Sequence, residues 1–82
     1  MSGTTQDEIL RATGGPTVND GLSFWYGRTP QESLNDAELR WLKALPGVTA
    51  NTINDAWRQY LKGLGFLGDL NDMWPAYWER QP

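Results

Sequence analysis

The sequence predicts an all-α protein, a compact bundle of four to five short helices. Three observations predict it: a capped-helix unit that recurs four times, apolar residues set at the helical period within each unit, and a glycine or proline stop after each one. The unit reads Thr17-Val18-Asn19-Asp20, Ser33-Leu34-Asn35-Asp36, Thr52-Ile53-Asn54-Asp55 and Asp69-Leu70-Asn71-Asp72. A short oxygen-bearing side chain at the first position accepts a backbone N–H of the first turn. The Asp three residues later is expected to reach back to the cap's own N–H, and it places negative charge where the helix dipole favours it by about 0.3 to 1 kcal/mol. Thr5-Gln6-Asp7-Glu8 is a degenerate fifth copy, opening a short helix that ends near Gly14-Gly15-Pro16.

Counted from each cap, large apolar residues recur one, five, eight, nine and twelve residues on, which is one face of a 3.6-residue helix. The third unit shows the stripe most fully, with Ile53, Trp57, Tyr60, Leu61 and Leu64. The first supplies Val18, Leu22, Trp25 and Tyr26, the second Leu34, Trp41, Leu42 and Leu45, and the fourth Leu70, Trp74, Tyr77 and Trp78. Glu38 interrupts the second stripe, and Leu39 is expected to take its place. Gly27 with Pro30, Pro46-Gly47, and Gly63, Gly65 and Gly68 end the helices after two to three turns. Pro75 would remove a hydrogen bond from a helix begun at Asp69, so the last helix is expected to kink or to restart with Asp72 as its cap. Gly65-Phe66-Leu67 is the only weak strand candidate.

At 82 residues the chain is one domain, read as a flexible N-terminal arm over residues 1–6 and a single helical domain over 7–82, with units starting near 17, 33, 52 and 69. A domain this small buries only about 60 to 65% of its unfolded surface, so five Trp, three Tyr and two Phe must supply much of the core. Docking or homo-oligomerisation is the remaining way to complete it. Cysteine and histidine are both absent. That removes disulfides, thiolate metal sites, the commonest general base and the most reactive nucleophile, so no catalytic, cofactor-binding or metal residue is assigned. A net charge of −3 with scattered basic residues argues against nucleic acid as a partner. No apolar run approaches a membrane span and no secretory signal is visible, so no membrane partner is expected.

The Asn-Asp pairs read as caps rather than calcium ligands, because a calcium loop gathers its oxygens within about a dozen residues whereas these lie one pair per helix start. Gly63-Leu64-Gly65-Phe66-Leu67-Gly68 has the glycines of a phosphate loop without its Lys-Ser/Thr ending, and reads as a linker. Trp41, Trp57 and Tyr60 are assigned to the core. Phe24, Trp25 and Tyr26 are consecutive and cannot all face one way, while Trp74, Tyr77 and Trp78 crowd Pro75. Those six residues form the predicted protein-binding surface.

The unit as it stands in Ser-Leu-Asn-Asp-Ala-Glu-Leu-Arg-Trp-Leu, residues 33–42, and Leu-Asn-Asp-Met-Trp-Pro-Ala-Tyr-Trp, residues 70–78, resembles the small helical repeat domains of tailed-bacteriophage virions. The likeness covers about residues 16–80, and Pro75 departs from its pattern. The resemblance implies a non-enzymatic structural or accessory protein of the virion, made in the host cytoplasm and binding other virion proteins in many copies. Capsid decoration or cement is favoured over a tail component. A carbohydrate-binding or host-attachment module is the rival reading, with the aromatic clusters stacking on sugars. An intracellular regulator that binds a host protein is a third.

Overall fold

The computed structural model describes residues 5–81 and contains five helices: α1 Thr5–Thr13, α2 Val18–Tyr26, α3 Leu34–Lys43, α4 Ile53–Gly63 and α5 Leu70–Glu79. Thr17, Ser33, Thr52 and Asp69 cap α2 to α5, each in extended backbone. Each side-chain oxygen accepts the N–H of the Asp three residues on, at 3.1 to 3.3 Å. The reciprocal half of the box is not made. An Asp carboxylate stops one methylene short of a Glu, and Asp55 instead pairs with Arg58 at 2.8 Å. Ser33→Ala and Thr52→Ala are each expected to cost about 1 kcal/mol, read as a lowered midpoint of thermal unfolding by circular dichroism. Unchanged midpoints in both would mean that these caps do not hold their helices.

Thr5 and Gln6, assigned by sequence to an N-terminal arm, belong to α1, so Thr5 lies inside the helix and does not cap it. Met1 to Thr4 lie outside the described residues. α5 runs unbroken from Leu70 to Glu79 with Asp69 as its cap, so the expected restart at Asp72 does not occur. Pro75 deprives only the Asn71 carbonyl of its helical donor. Gly65-Phe66-Leu67 is not a strand: Gly65 turns left-handed at φ 94°, and the chain swings Phe66 back into the core.

Each helix packs on the one before and the one after it, and α1 closes on α5. Among the described residues no helix pair approaches across the middle, so the five helices form a closed ring, 18 Å through its thinnest dimension. Large side chains fill the hub and hold opposite helices apart. The caps register what faces inward. Four residues after them stand Gly21, Ala37, Ala56 and Met73, and nine after them Tyr26, Leu42, Leu61 and Trp78, all buried. The first set is mostly small, which allows neighbouring helices to approach closely. A Cβ added at Gly21 would collide with the Thr13 side chain of α1. The position twelve residues on falls outside the stripe in the third unit, where Leu64 follows the end of α4 and is half exposed.

Two arginines brace the ring by the same device. Arg11 of α1 is held by Glu8 at 2.6 Å and donates to the carbonyls of Trp78, Glu79 and Gln81 at the end of α5. Arg40 of α3 is held by Glu32 at 2.6 Å and donates to the Tyr26 and Gly27 carbonyls at the end of α2. Terminal carbonyls lack intrahelical donors and carry the negative end of the dipole, so a guanidinium satisfies both needs. The Arg40 contact, with a backbone N–H from Thr29, holds the Glu32 carboxyl down to about 2.

Candidate functional site

The aromatic residues form a circuit. Trp25 meets Trp78 at 5.1 Å between ring centroids, Trp78 meets Tyr77 at 5.2 Å, and Tyr77 meets Trp57 at 5.4 Å. Trp57 meets Trp41 at 5.8 Å, and Trp41 meets Tyr26 at 5.2 Å. The circuit begins and ends on adjacent residues of α2. Side chains about 100° apart on a helix can both point inward when that helix is wedged between two neighbours, as α2 is between α1 and α3.

The predicted contact surface is corrected accordingly. Tyr26, Tyr77 and Trp78 are core residues, with Trp78 wholly buried. Trp25 is half-buried against Trp78. Phe24 alone of its cluster is exposed, at 74%, joined among exposed large apolar residues by Leu64 and by Leu67 at 89%. Trp74, Tyr77 and Trp78 are spaced i, i+3 and i+4, which puts them on one helix face rather than spreading them around Pro75. The edge of Tyr77 lines a surface cleft beside Tyr60 and Phe66, and half-buried Trp74 lines a second one with residues of α3 and α4.

That cleft, of about 370 Å³, opens between α3, α4 and α5. Its walls are equivalent positions of two neighbouring units: Ile53, Asn54 and Trp57 from α4 face Leu70, Asn71 and Trp74 from α5, with Pro75 beside them. The corresponding position of the second unit, five residues after Ser33, is Glu38. Glu38 also lines the cleft. It does not leave the stripe as the sequence suggested, although Leu39 does pack on the core beside it. Two donors hold its carboxylate in place. Trp57 Nε1 donates to Oε2 at 2.7 Å, and the Tyr26 hydroxyl donates to the same oxygen at 3.3 Å. Glu38 Oε1 accepts no hydrogen bond from the described residues, and Glu38 is in no salt bridge with them.

No family model, curated protein or solved structure matches this chain. The chemistry of the cleft therefore has to be argued from its own residues. One carboxylate, two amides and two indoles line it, with no second titratable group. Glycoside hydrolysis commonly uses a pair of carboxylates, and acyl transfer a nucleophile with its base. The lining offers recognition: apolar side chains, hydrogen-bonding amides and a carboxylate held in place. Among the described residues no group of His, Cys, Asp or Glu is placed to hold a metal ion, and no helix is long and apolar enough to cross a membrane.

Burial, and then the Glu38 charge, push the Tyr26 phenol far above its ordinary pKa, and burial raises that of Tyr77 beside Tyr60. A group whose folded pKa is raised stabilises the fold in full below its unfolded value, about 10, and loses that contribution as pH climbs above it. Base is therefore expected to unfold the protein above about pH 10, with tyrosinate absorbance rising in step with loss of helix. Tyr26→Phe should blunt that loss. Tyr26 ionising while the helix signal stays native would contradict the buried placement.

Proposed function

We propose that the chain is a non-enzymatic accessory protein of a bacteriophage virion, binding a larger assembly, with capsid decoration or cement preferred to a tail role. The observation that carries the binding reading is the cleft: a concave, aromatic-walled site whose lining can hold a partner group and has no paired groups to turn it over. The virion assignment is supported by the likeness of the repeated cap-Leu-Asn-Asp helix to phage repeat domains. Exposed Phe24 and Leu67 offer further apolar contact area. Interfaces draw most of their energy from a few aromatic or arginine anchors set among near-neutral contacts, which suits a surface with an aromatic-lined cleft and scattered apolar side chains.

The test is quantitative mass spectrometry of particles purified from cells in which the chain is made from its native genome. Many copies per particle are expected, and absence from washed particles would overturn the virion reading. The carbohydrate-binding alternative is favoured by Trp74 standing beside Asn54 and Asn71, a stacking and hydrogen-bonding set suited to a sugar. Saturable quenching of tryptophan fluorescence by glycans would support that alternative.

A further inference from the structure

We infer that the cleft between α3, α4 and α5 is a receptor for a single arginine side chain of the partner protein, with Glu38 as its counter-charge. The inference rests on the protein-binding reading above and names the group that is recognised. Its starting point is an imbalance of charge. A partly buried carboxylate is normally paired, because the low dielectric around it makes an isolated charge costly. Glu8, Glu32 and Asp55 each have an arginine at 2.6 to 2.8 Å, whereas Glu38 has only an indole N–H and a phenol on one oxygen.

The surroundings do not cancel that charge. The first turns of α4 and α5 border the cleft and contribute partial positive charge, but Asp55 and Asp72 stand in those turns, and Asp69 caps α5. No lysine or arginine lines the cleft. The nearest guanidinium along α4, Arg58, is engaged by Asp55. The site therefore presents net negative charge beside the half-buried Trp74 indole, and an indole attracts a cation as well. Trp57, 2% exposed and packed T-shaped on Trp74 at 6.3 Å, serves the site through its N–H.

Shape narrows the choice among cations. A guanidinium is flat, donates five N–H groups in a rigid fork and stacks on aromatic faces, whereas an ammonium is a compact, strongly hydrated point charge. Glu38 Oε1 and the side-chain oxygens of Asn54 and Asn71 are acceptors suited to that fork. At about 370 Å³ the cleft lies at the small end of ligand pockets, which run from about 300 to 1,000 Å³, a size for one large side chain rather than a glycan chain.

The test uses the whole protein, 15N-labelled, with N-acetyl-arginine amide as the probe and its neutral isostere N-acetyl-citrulline amide as the control. The indole N–H signals of Trp57 and Trp74 are followed during titration. The arginine amide is expected to shift both signals saturably, with a dissociation constant on the order of 1 mM that weakens with added salt, while the citrulline amide shifts neither. Glu38→Gln keeps an acceptor for Trp57 and should weaken binding roughly tenfold. Should that variant fold poorly, exposed Asn71 supplies a second pair: Asn71→Lys should weaken binding and Asn71→Asp should tighten it. Equal binding of the citrulline amide, a glucose or galactose oligosaccharide shifting these signals where the arginine amide does not, or no shift with the arginine amide overturns the inference. None of these results depends on particle association, so the receptor and the virion role can fail separately.

Discussion

Trp78→Ala is expected to lower the free energy of unfolding by about 3 to 5 kcal/mol, the usual cost of truncating a buried Trp. An 82-residue domain has only about 4 to 12 kcal/mol to lose, so the variant should be largely unfolded or melt far below the parent. Trp78 is fully buried and joins Trp25 to Tyr77 and Trp74 across the hub, so no single helix can move in to fill the cavity. Phe24→Ala, at the residue next to Trp25 on the same helix, should change stability by no more than about 0.5 kcal/mol, as for an ordinary surface site. Urea denaturation of both variants checks the contrast. Comparable losses in the two would mean that α2 presents a different face to the ring.

Glu38→Ala is expected to cost about 2 to 4 kcal/mol, because it strands two donors, the Trp57 indole N–H and the Tyr26 hydroxyl, each worth about 1 to 3 kcal/mol when left buried and unpaired. Glu38→Gln retains an oxygen for them and should cost about 1 kcal/mol or less. A double-mutant cycle of Glu38→Ala with Trp57→Phe, which deletes the donor, should return a coupling of at least about 1 kcal/mol. Additive losses would show that the 2.7 Å contact carries no energy of its own. Trp78→Phe offers an internal comparison, since the Trp78 indole N–H, like that of Trp25, finds no acceptor in hydrogen-bonding geometry and its removal strands nothing.

The candidate site was legible only in fragments. Glu38 stands out in sequence as a charge interrupting an apolar stripe, where Leu39 is expected to take its place. Periodicity reports which face a position lies on and says nothing of whether a polar partner waits there. Trp57 reaches Glu38 from another unit nineteen residues away. The signal that could have found the site is alignment of the units on their caps: the position five residues on reads Leu22, Glu38, Trp57 and Trp74, and the last three line one cleft. The same alignment exposes the small set Gly21, Ala37 and Ala56, which a search for large apolar residues passes over. The burial of Trp25 together with Tyr26 is not legible from a helix with one buried side, and that of Tyr77 and Trp78 is masked by Pro75 beside them. In a ring each helix has two neighbours and a hub, so the buried arc is wide enough for both Trp25 and Tyr26.

By itself the sequence determined the all-α class, the starts of α2 to α4 to the residue, and the stops at Gly14 and Gly27. All of these depend on contacts within a few residues: a hydroxyl or carboxylate beside a nearby N–H, or a backbone that only glycine adopts without strain. Tertiary structure alone decided that the helices close into a ring, that α5 continues through Pro75, that Arg11 and Arg40 brace the ends of other helices, and that Glu38 is held inside an aromatic cleft. These depend on which helix meets which. Arg11 and the carbonyls it satisfies lie about seventy residues apart, and no local preference encodes a contact across that distance.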